Sequence, residues 1–419
     1  MLRVGQKEVD AIAKVLLSGK VFRYNIGGEC ARFEKRYGKF LGVKHVWMTS
    51  SGTTALTAAL AGLGIGPGDE VLVPACTYMA TAVSVVAAGA IPVIVDIDDT
   101  ITISPDAIDD AAGPRTRAVI PVHMWGLCCD MDAIRAVARK HDLLVVEDCC
   151  QGVGGAYKGR MLGSFGHAAA FSFNYYKNMT CGEGGAVVTS DPKVSERARC
   201  MIDCCGFYWT GRKDGVVPFI SNGARASELE GAMMNAQLDR LPAMIRTLRK
   251  QKKRILAATA ATGLKPIRAN SLDWECGTTV MYTLPTVEQA EKFRELVGGT
   301  ICGKTGRHVY TEWDQIFAHQ GAHHPALNPF ALPQNRGCRK KYTKDMCARS
   351  LDILNRTVMI GNHPDRKARD TAAIIRKIKA AAASFAFGVS RLALGNPKLE
   401  TRNSKLSAAA ASGKRHASP

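Results

Sequence analysis

The chain has 419 residues, of which 46% are hydrophobic and 22% charged, as is typical of a globular protein long enough for two domains. No apolar run reaches the about 18 residues that a membrane-spanning helix requires, and the first residues lack the apolar centre of a secretion signal, so we expect a cytoplasmic protein with no membrane partner. The formal net charge of +19 includes +9 from residues 365–419, where 12 Lys and Arg stand against 3 Asp and Glu. No RNA-binding signature or zinc-finger spacing accompanies this charge, so we do not expect a nucleic-acid partner.

Strands and helices alternate along the first 190 residues. The pattern predicts strands at 46–48, 70–73, 91–96, 117–122, 143–146, 168–173 and 186–189. The predicted helices are 6–17, 29–41, 55–63, 81–88 and 131–141. Apolar strands that alternate with amphipathic helices indicate an α/β sheet covered on both faces, in which ligands bind at the carboxyl ends of the strands.

The rest of the chain predicts a second, smaller unit. Its predicted elements are helices at 227–241 and 243–262, a strand at 278–283, a helix at 287–297, a polar stretch at 307–345 and a helix at 366–385. We expect a large domain over 1–250, a small domain over 251–387 and a disordered basic tail over 388–419. His319, His323 and His324 are predicted to lie on a polar surface loop, with a position in the substrate pocket as the alternative.

The fourteen cysteines indicate neither a disulfide framework nor a metal site. Six of them form adjacent pairs that are poorly placed to bridge each other, namely Cys128-Cys129, Cys149-Cys150 and Cys204-Cys205. No C-x-x-C spacing occurs, so we expect no bound metal. The composition therefore predicts reduced, mostly buried thiols.

Lys177 is the first candidate for chemistry. It lies between the aromatic run 168–173 and the β-prone run 186–189. An ammonium between two buried strands is costly unless it is paired or its pKa is lowered. A desolvated amine can form a Schiff base with an aldehyde cofactor such as pyridoxal 5′-phosphate (PLP). An ordinary surface lysine at a strand end is the alternative.

Three further segments offer what such a cofactor needs. Ser51-Gly52-Thr53-Thr54 joins a strand to a helix start, where free N–H groups can bind a phosphate, although simple N-capping gives the same pattern. Asp148 ends a buried strand and can pair with a protonated pyridine nitrogen, or it can cap the next turn. Tyr78 follows the strand at 70–73 and can stack on the cofactor ring, although a loop aromatic often only packs.

Six motifs follow one another along the chain, namely Ser51-Gly52-Thr53, Thr77-Tyr78-x-Ala80-Thr81, Val122-His123-Met124-Trp125-Gly126, Glu147-Asp148-x-x-Gln151, Phe171-Ser172-Phe173-x-x-x-Lys177-Asn178 and Gly182-Glu183-Gly184-Gly185. In this order they resemble the DegT/DnrJ/EryC1/StrS family, PLP-dependent aminotransferases that act on keto-sugars and related cyclitols. The resemblance implies the fold-type-I transferase architecture, with a mostly parallel seven-stranded sheet in a large domain and a smaller α+β C-terminal domain. It also implies a homodimer with active sites near the subunit interface.

The resemblance assigns a role to each motif residue. Lys177 would be the Schiff-base lysine and proton-transfer base, Asp148 would pair with the pyridine nitrogen, Tyr78 would stack on the ring, and Gln151 would contact its O3′ side. The expected phosphate ligands are Gly52, Thr53 and Ser172.

One motif departs from the family pattern. The family often places an asparagine that reaches the neighbouring subunit's cofactor at the position that Gly223 fills here. Asn222, one residue earlier, can take that role only in a shifted loop.

The implied reaction transfers an amino group from glutamate or glutamine to a nucleotide-linked keto-hexose or a cyclitol in amino-sugar biosynthesis. One alternative is the family's sugar dehydratase branch, whose members carry histidine where this chain has Lys177. A non-catalytic, PLP-binding regulatory protein is the other.

Overall fold

The computed structural model describes residues 4–211 and 215–393. The strands, in chain order, are β1 (His45–Thr49), β2 (Glu70–Pro74), β3 (Ile91–Val95), β4 (Thr116–Val119), β5 (Leu144–Asp148), β6 (Ala156–Tyr157), β7 (Arg160–Met161), β8 (Ala168–Ser172), β9 (Gly185–Thr189), β10 (Lys265–Pro266), β11 (Thr279–Thr283), β12 (Thr300–Ile301) and β13 (Thr357–Gly361). The helices are α1 (Gln6–Ser18), α2 (Glu29–Leu41), α3 (Gly52–Gly62), α4 (Ala80–Ala87), α5 (Pro105–Ala111), α6 (Met131–Lys140), α7 (Pro192–Ile202), α8 (Phe207–Thr210), α9 (Glu228–Thr259), α10 (Val287–Val297), α11 (Asp314–Phe317), α12 (Ala348–Arg356) and α13 (Ala368–Ala393).

Seven strands form the larger sheet, in the order β1-β9-β8-β5-β4-β2-β3. The strands from β8 to β3 run parallel, and β9 runs antiparallel to both of its neighbours. Because β5 and β8 are parallel neighbours, their carboxyl ends lie side by side, with Asp148 opposite Ala170. The predicted mostly parallel seven-stranded sheet is therefore confirmed.

A second sheet of four antiparallel strands follows in the order β10-β11-β13-β12. Its core includes Tyr282, Phe293 and Val358 and is joined by residues of α9 and α13. This arrangement agrees with the small α+β unit that the resemblance implies. The predicted domain boundary at residue 250 falls within α9, and the division into domains stays a prediction.

The prediction of two helices over 227–262 was wrong, because α9 continues through Pro242. Proline removes one intrahelical hydrogen bond, but Leu241 and Ile245 on either side are buried in the core and hold both halves in line. The sequence patterns also missed α5, α7, α12 and β13. The final helix runs to Ala393, beyond its predicted end near 385, and residues 394–419 of the predicted tail lie outside the described part of the chain.

Within residues 4–211 and 215–393, no helix combines the length and the apolar character that a membrane crossing would need.

Candidate active site

A cavity of about 490 Å³ opens at the carboxyl edge of the seven-stranded sheet. It lies between this sheet and residues of the second unit, since Thr278 and Thr279 also line it. Both threonine hydroxyls donate to the carbonyl of Trp125, at 2.6 and 3.2 Å. The cavity brings together seven of the eight predicted site residues, Gly52, Thr53, Tyr78, Asp148, Gln151, Ser172 and Lys177.

The start of α3 forms one wall of the cavity. Ser51 caps this helix by accepting a hydrogen bond from the Thr54 N–H at 3.1 Å. Within the described chain, the N–H groups of Gly52 and Thr53 have no acceptor, so both are available to an anion at the positive end of the helix. The end of β8 approaches closely here, because a Cβ on Gly52 would lie 2.7 Å from the Ser172 Cβ. These residues therefore have the composition and shape of a phosphate site.

Asp148 is a buried carboxylate at the carboxyl end of β5, with 4% of its surface exposed. It accepts hydrogen bonds from the Thr81 hydroxyl at 2.8 Å and from the Cys150 N–H at 3.0 Å. No Lys, Arg or His side chain of the described residues forms an ion pair with it. A buried carboxylate without a cation is costly, so this position suits a ligand that carries positive charge. A protonated pyridine nitrogen meets that requirement.

Lys177 is half-buried and follows a turn in which its N–H donates to the Asn174 carbonyl at 3.0 Å. Its Nζ has no hydrogen bond or ion pair among the residues that the structure describes. Gln151 lies nearby and accepts from the Trp125 N–H through Oε1 at 3.3 Å, which leaves its NH₂ group free to donate. The site thus presents an unpaired primary amine beside a free amide donor.

Two residues that the sequence patterns missed, Arg307 and His308, also line the cavity. They belong to the polar stretch 307–345 and are brought in by backbone pairing, because Thr77 N–H donates to the His308 carbonyl and Met79 N–H to the Arg307 carbonyl, at 3.0 and 3.1 Å. His308 Nδ1 lies 3.1 Å from the Thr305 carbonyl and can only donate to it, which leaves Nε2 as an acceptor in the neutral ring. Burial lowers the pKa of His308, and nearby positive charge lowers it further, so the ring is neutral near pH 7. No spacing pattern in the sequence signals either residue.

The other predicted residues lie elsewhere. Asn222 is exposed and does not line this cavity. His323 and His324 are exposed, as expected of a surface loop. His319 instead packs against Phe330, with ring centroids 4.7 Å apart, and is also absent from the cavity wall.

A fully buried pair, His123 and Glu147, supports the floor of the site. Glu147 precedes Asp148 and accepts hydrogen bonds from the N–H groups of Gly163, Phe165 and Gly166, at 2.9, 2.6 and 2.7 Å. His123 Nδ1 accepts from the Cys129 N–H, so its Nε2–H donates to Glu147 at 3.3 Å. With Cys149 these side chains place three potential metal ligands within 4.8 Å of one another. Because the carboxylate oxygens are already occupied by N–H donors and burial keeps the pKa of the Cys149 thiol high, we interpret the cluster as a structural clamp.

Most of the chain matches the sequence model of a known protein family. A sequence model of the DegT/DnrJ/EryC1/StrS aminotransferase family matches residues 3–379. GDP-perosamine synthase of Caulobacter vibrioides is 41% identical over 222 residues, which cover 52% of this chain and 58% of that protein. The dTDP-3-amino-3,4,6-trideoxy-alpha-D-glucose transaminase of Streptomyces venezuelae is 48% identical over 197 residues, 46% of this chain and 51% of that protein. The aligned segments thus span between half and three-fifths of these curated relatives.

Similarity to a solved structure extends over more of the chain. The crystal structure of S. venezuelae DesV in complex with a ketimine intermediate superimposes with a TM-score of 0.69 at 28% identity. The match covers 90% of this chain and 94% of that one.

Proposed function

The chain belongs to the DegT/DnrJ/EryC1/StrS aminotransferase family, and from this membership we propose that it is a PLP-dependent aminotransferase acting on a keto-sugar. The donor would be glutamate or glutamine, and the acceptor a nucleotide-linked keto-hexose or a cyclitol. One observation carries the proposal. A buried carboxylate without a cation, Asp148, an unpaired amine, Lys177, and a helix start with free N–H groups line the same cavity.

These three features fit the three parts of PLP. The N–H groups of Gly52 and Thr53, with the Ser172 hydroxyl, would hold the phosphate. Asp148 would pair with the ring nitrogen and keep it protonated. Tyr78 would cover one face of the ring, and the free NH₂ of Gln151 would donate to the ring's O3′ oxygen.

The chemistry that PLP supplies when bound is a carbonyl carbon that takes up the amino group and a conjugated ring that withdraws electrons from the donor's α-carbon. Lys177 Nζ would remove the proton from that carbon, and in the acceptor half of the reaction it would return a proton to the sugar carbon. Over both halves, the donor exchanges its C–N bond for a carbonyl, and the sugar exchanges its carbonyl for a C–N bond. The two changes balance, so no further oxidant or reductant is needed.

Aminotransfer is favoured over sugar dehydration because Lys177 occupies the position at which the family's dehydratases carry histidine. A lysine amine can form the covalent link to the cofactor that a histidine cannot.

We also propose a homodimer, supported by an aromatic face that comprises exposed Phe22 and Trp209 beside the half-buried Tyr24. The ring centroids of Phe22 and Trp209 lie 5.0 Å apart, yet Trp209 remains 61% exposed. Contiguous exposed aromatics are typical of a surface that another protein covers. We expect Trp209→Glu to convert a dimer into a monomer in light scattering, whereas Leu327→Glu, at an exposed leucine elsewhere, leaves the mass unchanged.

In such a dimer, we propose that exposed Asn222 contacts the partner's site rather than its own. The loop that carries Asn222 lies near the rim of the cavity, because the Ser50 N–H donates to the Ala224 carbonyl at 2.9 Å, but Asn222 itself is exposed and does not line this cavity, so it remains available to a partner. We further propose a cytoplasmic location, supported by all fourteen cysteines being free thiols, a state that persists in reducing compartments.

The decisive test of the enzyme proposal is Lys177→Ala. We expect the visible absorption band of bound PLP to disappear and amino transfer to fall by at least about 100-fold, the lower range for a lost acid–base group. Lys177→Arg keeps the charge but cannot form the link, so it should fail in the same way. Lys44→Ala, at an exposed lysine outside the cavity, is the matched control. A Lys177→Ala protein that retains both the band and the activity would contradict the assignment.

A further inference from the structure

Arg307 is an unpaired positive charge at the wall of the cavity. Among the described residues that line the cavity, Lys177 is the only lysine and Arg307 the only arginine. The guanidinium of Arg307 forms no ion pair or hydrogen bond within the described part of the chain, and it lies 5.3 Å from the centroid of the Tyr78 ring. An arginine directed at a cavity without an acidic partner is suited to an anion that enters from outside.

The backbone of Arg307 is fixed although its side chain is free. Its carbonyl accepts hydrogen bonds from the Met79 N–H and from the indole N–H of Trp313, both at 3.1 Å. Trp313 is fully buried, so this anchor belongs to the core. The backbone of Arg307 is therefore already ordered before a ligand binds, and only the side chain loses rotamer freedom on binding.

The neighbouring side chains do not neutralise Arg307. His308 next to it is neutral, since burial and nearby cations lower its pKa. Glu183, an acidic residue of the wall, accepts a hydrogen bond from Asn174 at 2.8 Å, and Asp148 is buried at the end of β5. The cavity therefore keeps one guanidinium without a counter-charge.

We propose that Arg307 binds the α-carboxylate of the amino-acid donor. The inference rests on the proposed function, because an aminotransferase must take an amino acid into this cavity. The donor's carboxylate is attached to the carbon that carries its amino group, so it must lie close to the reacting atoms. A planar guanidinium matches a carboxylate through two parallel N–H···O bonds. The phosphate of PLP would already be held at the start of α3, which leaves Arg307 for the substrate.

A nucleotide-linked acceptor could offer its diphosphate to the same cation. We favour the carboxylate because the diphosphate is attached to the anomeric carbon of the sugar and therefore lies away from the keto carbon that reacts. The experiment separates these two anions.

The test compares donors that differ in one group, on the full-length, PLP-loaded protein. L-Glutamate and L-glutamine carry the α-carboxylate, and L-isoglutamine carries an α-carboxamide in its place. For Arg307→Met, we expect the concentration of glutamate or glutamine that gives the half-maximal spectral change to rise by roughly 10- to 100-fold, as for a lost charge-assisted contact. We expect little change for isoglutamine, which cannot make the contact. Arg307→Lys should lie between Arg307→Met and the wild type.

Arg336→Met is the matched control, because Arg336 is an exposed arginine that does not line the cavity. A binding measurement makes the result independent of turnover. By calorimetry, glutarate, a dicarboxylate without an amino group, should bind Arg307→Met more weakly than the wild type. Because the replaced guanidinium forms no hydrogen bond and its contact with the Tyr78 ring is exposed, we expect little change in the thermal midpoint. Arg307→Gln provides a polar second variant.

Two outcomes would overturn the inference. An equal loss for all three donors would show that Arg307 does not recognise the α-carboxylate. Unchanged donor and glutarate binding, with weaker binding of UDP, GDP or dTDP, would assign Arg307 to the acceptor's diphosphate. If the wild-type protein converted no donor but bound glutarate more tightly than Arg307→Met, the proposed function would be refuted, whereas an anion site at Arg307 would still be supported.

Discussion

Replacing Gly52 with alanine would place a methyl group in the contact between α3 and β8. The new Cβ would lie 2.7 Å from the Ser172 Cβ, 2.9 Å from the Cys150 Sγ and 3.3 Å from the Ser172 Cα. Carbon atoms in contact prefer separations of about 3.5–4.0 Å, so the helix start must move by about 1 Å. The Cys150 side chain can rotate away, but Ser172 is fixed through its main chain in the sheet. Overpacking of this kind costs about 1–3 kcal/mol of folding free energy.

The same movement displaces the free N–H groups of Gly52 and Thr53 from the anion that they are proposed to hold. We therefore expect Gly52→Ala to raise the dissociation constant of PLP by roughly 10- to 100-fold, the effect of one or two weakened charge-assisted hydrogen bonds. Absorbance titration of the PLP-free protein measures the affinity, and urea unfolding of the same protein measures the stability.

Gly5→Ala is the matched control. Gly5 caps α1 with φ of −150°, and a Cβ at this position would have no atom within 4 Å, so alanine meets nothing there. We expect wild-type PLP affinity and a free energy of unfolding changed by less than about 1 kcal/mol. If Gly52→Ala bound PLP as tightly as the control, the start of α3 would not be the phosphate site.

Three further changes test the site. Glu147→Gln places an NH₂ group among N–H donors and weakens the hydrogen bond to His123. Urea unfolding should therefore show a free energy of unfolding lower by about 2–4 kcal/mol, and an unchanged midpoint would refute the role of this pair as a structural clamp. Asp148→Asn keeps the shape but removes the charge, so PLP should bind about 10- to 100-fold more weakly in the absorbance titration, and equal affinity would exclude the pyridine pairing. Burial lowers the pKa of His308 below its unfolded value of about 6.5. The unfolded chain therefore takes up a proton here before the folded protein does, and the folded protein loses stability as the pH falls below about 6.5. Between roughly pH 7.5 and 5.5, we therefore expect the free energy of unfolding of the PLP-free protein to fall less in His308→Gln than in the wild type. The control, His323→Gln at an exposed histidine, should behave like the wild type, and equal losses in all three proteins would refute the assignment.

Local patterns were sufficient for much of the fold. Helix α2 begins at Glu29 and ends at Leu41 as predicted, because its buried residues follow a helical period and Gly42 adopts the left-handed conformation that ends it. The all-apolar strand β3 was equally evident, since a strand buried on both faces carries no polar positions. Where two local signals conflicted, as at Pro242, the core on either side decided the outcome.

The sequence by itself was sufficient to identify the family, the mostly parallel sheet and the site residues that follow its strands. Those residues could be found because strand ends and helix starts leave local patterns, and ligands bind at the carboxyl ends of parallel strands. Only the tertiary structure brought Arg307 and His308 to the cavity. They lie in a stretch without hydrophobic periodicity, and they reach the site through backbone hydrogen bonds to the loop after β2, more than 220 residues earlier in the chain. Pairing between distant segments leaves no local trace in the sequence, whereas strand ends and helix starts do.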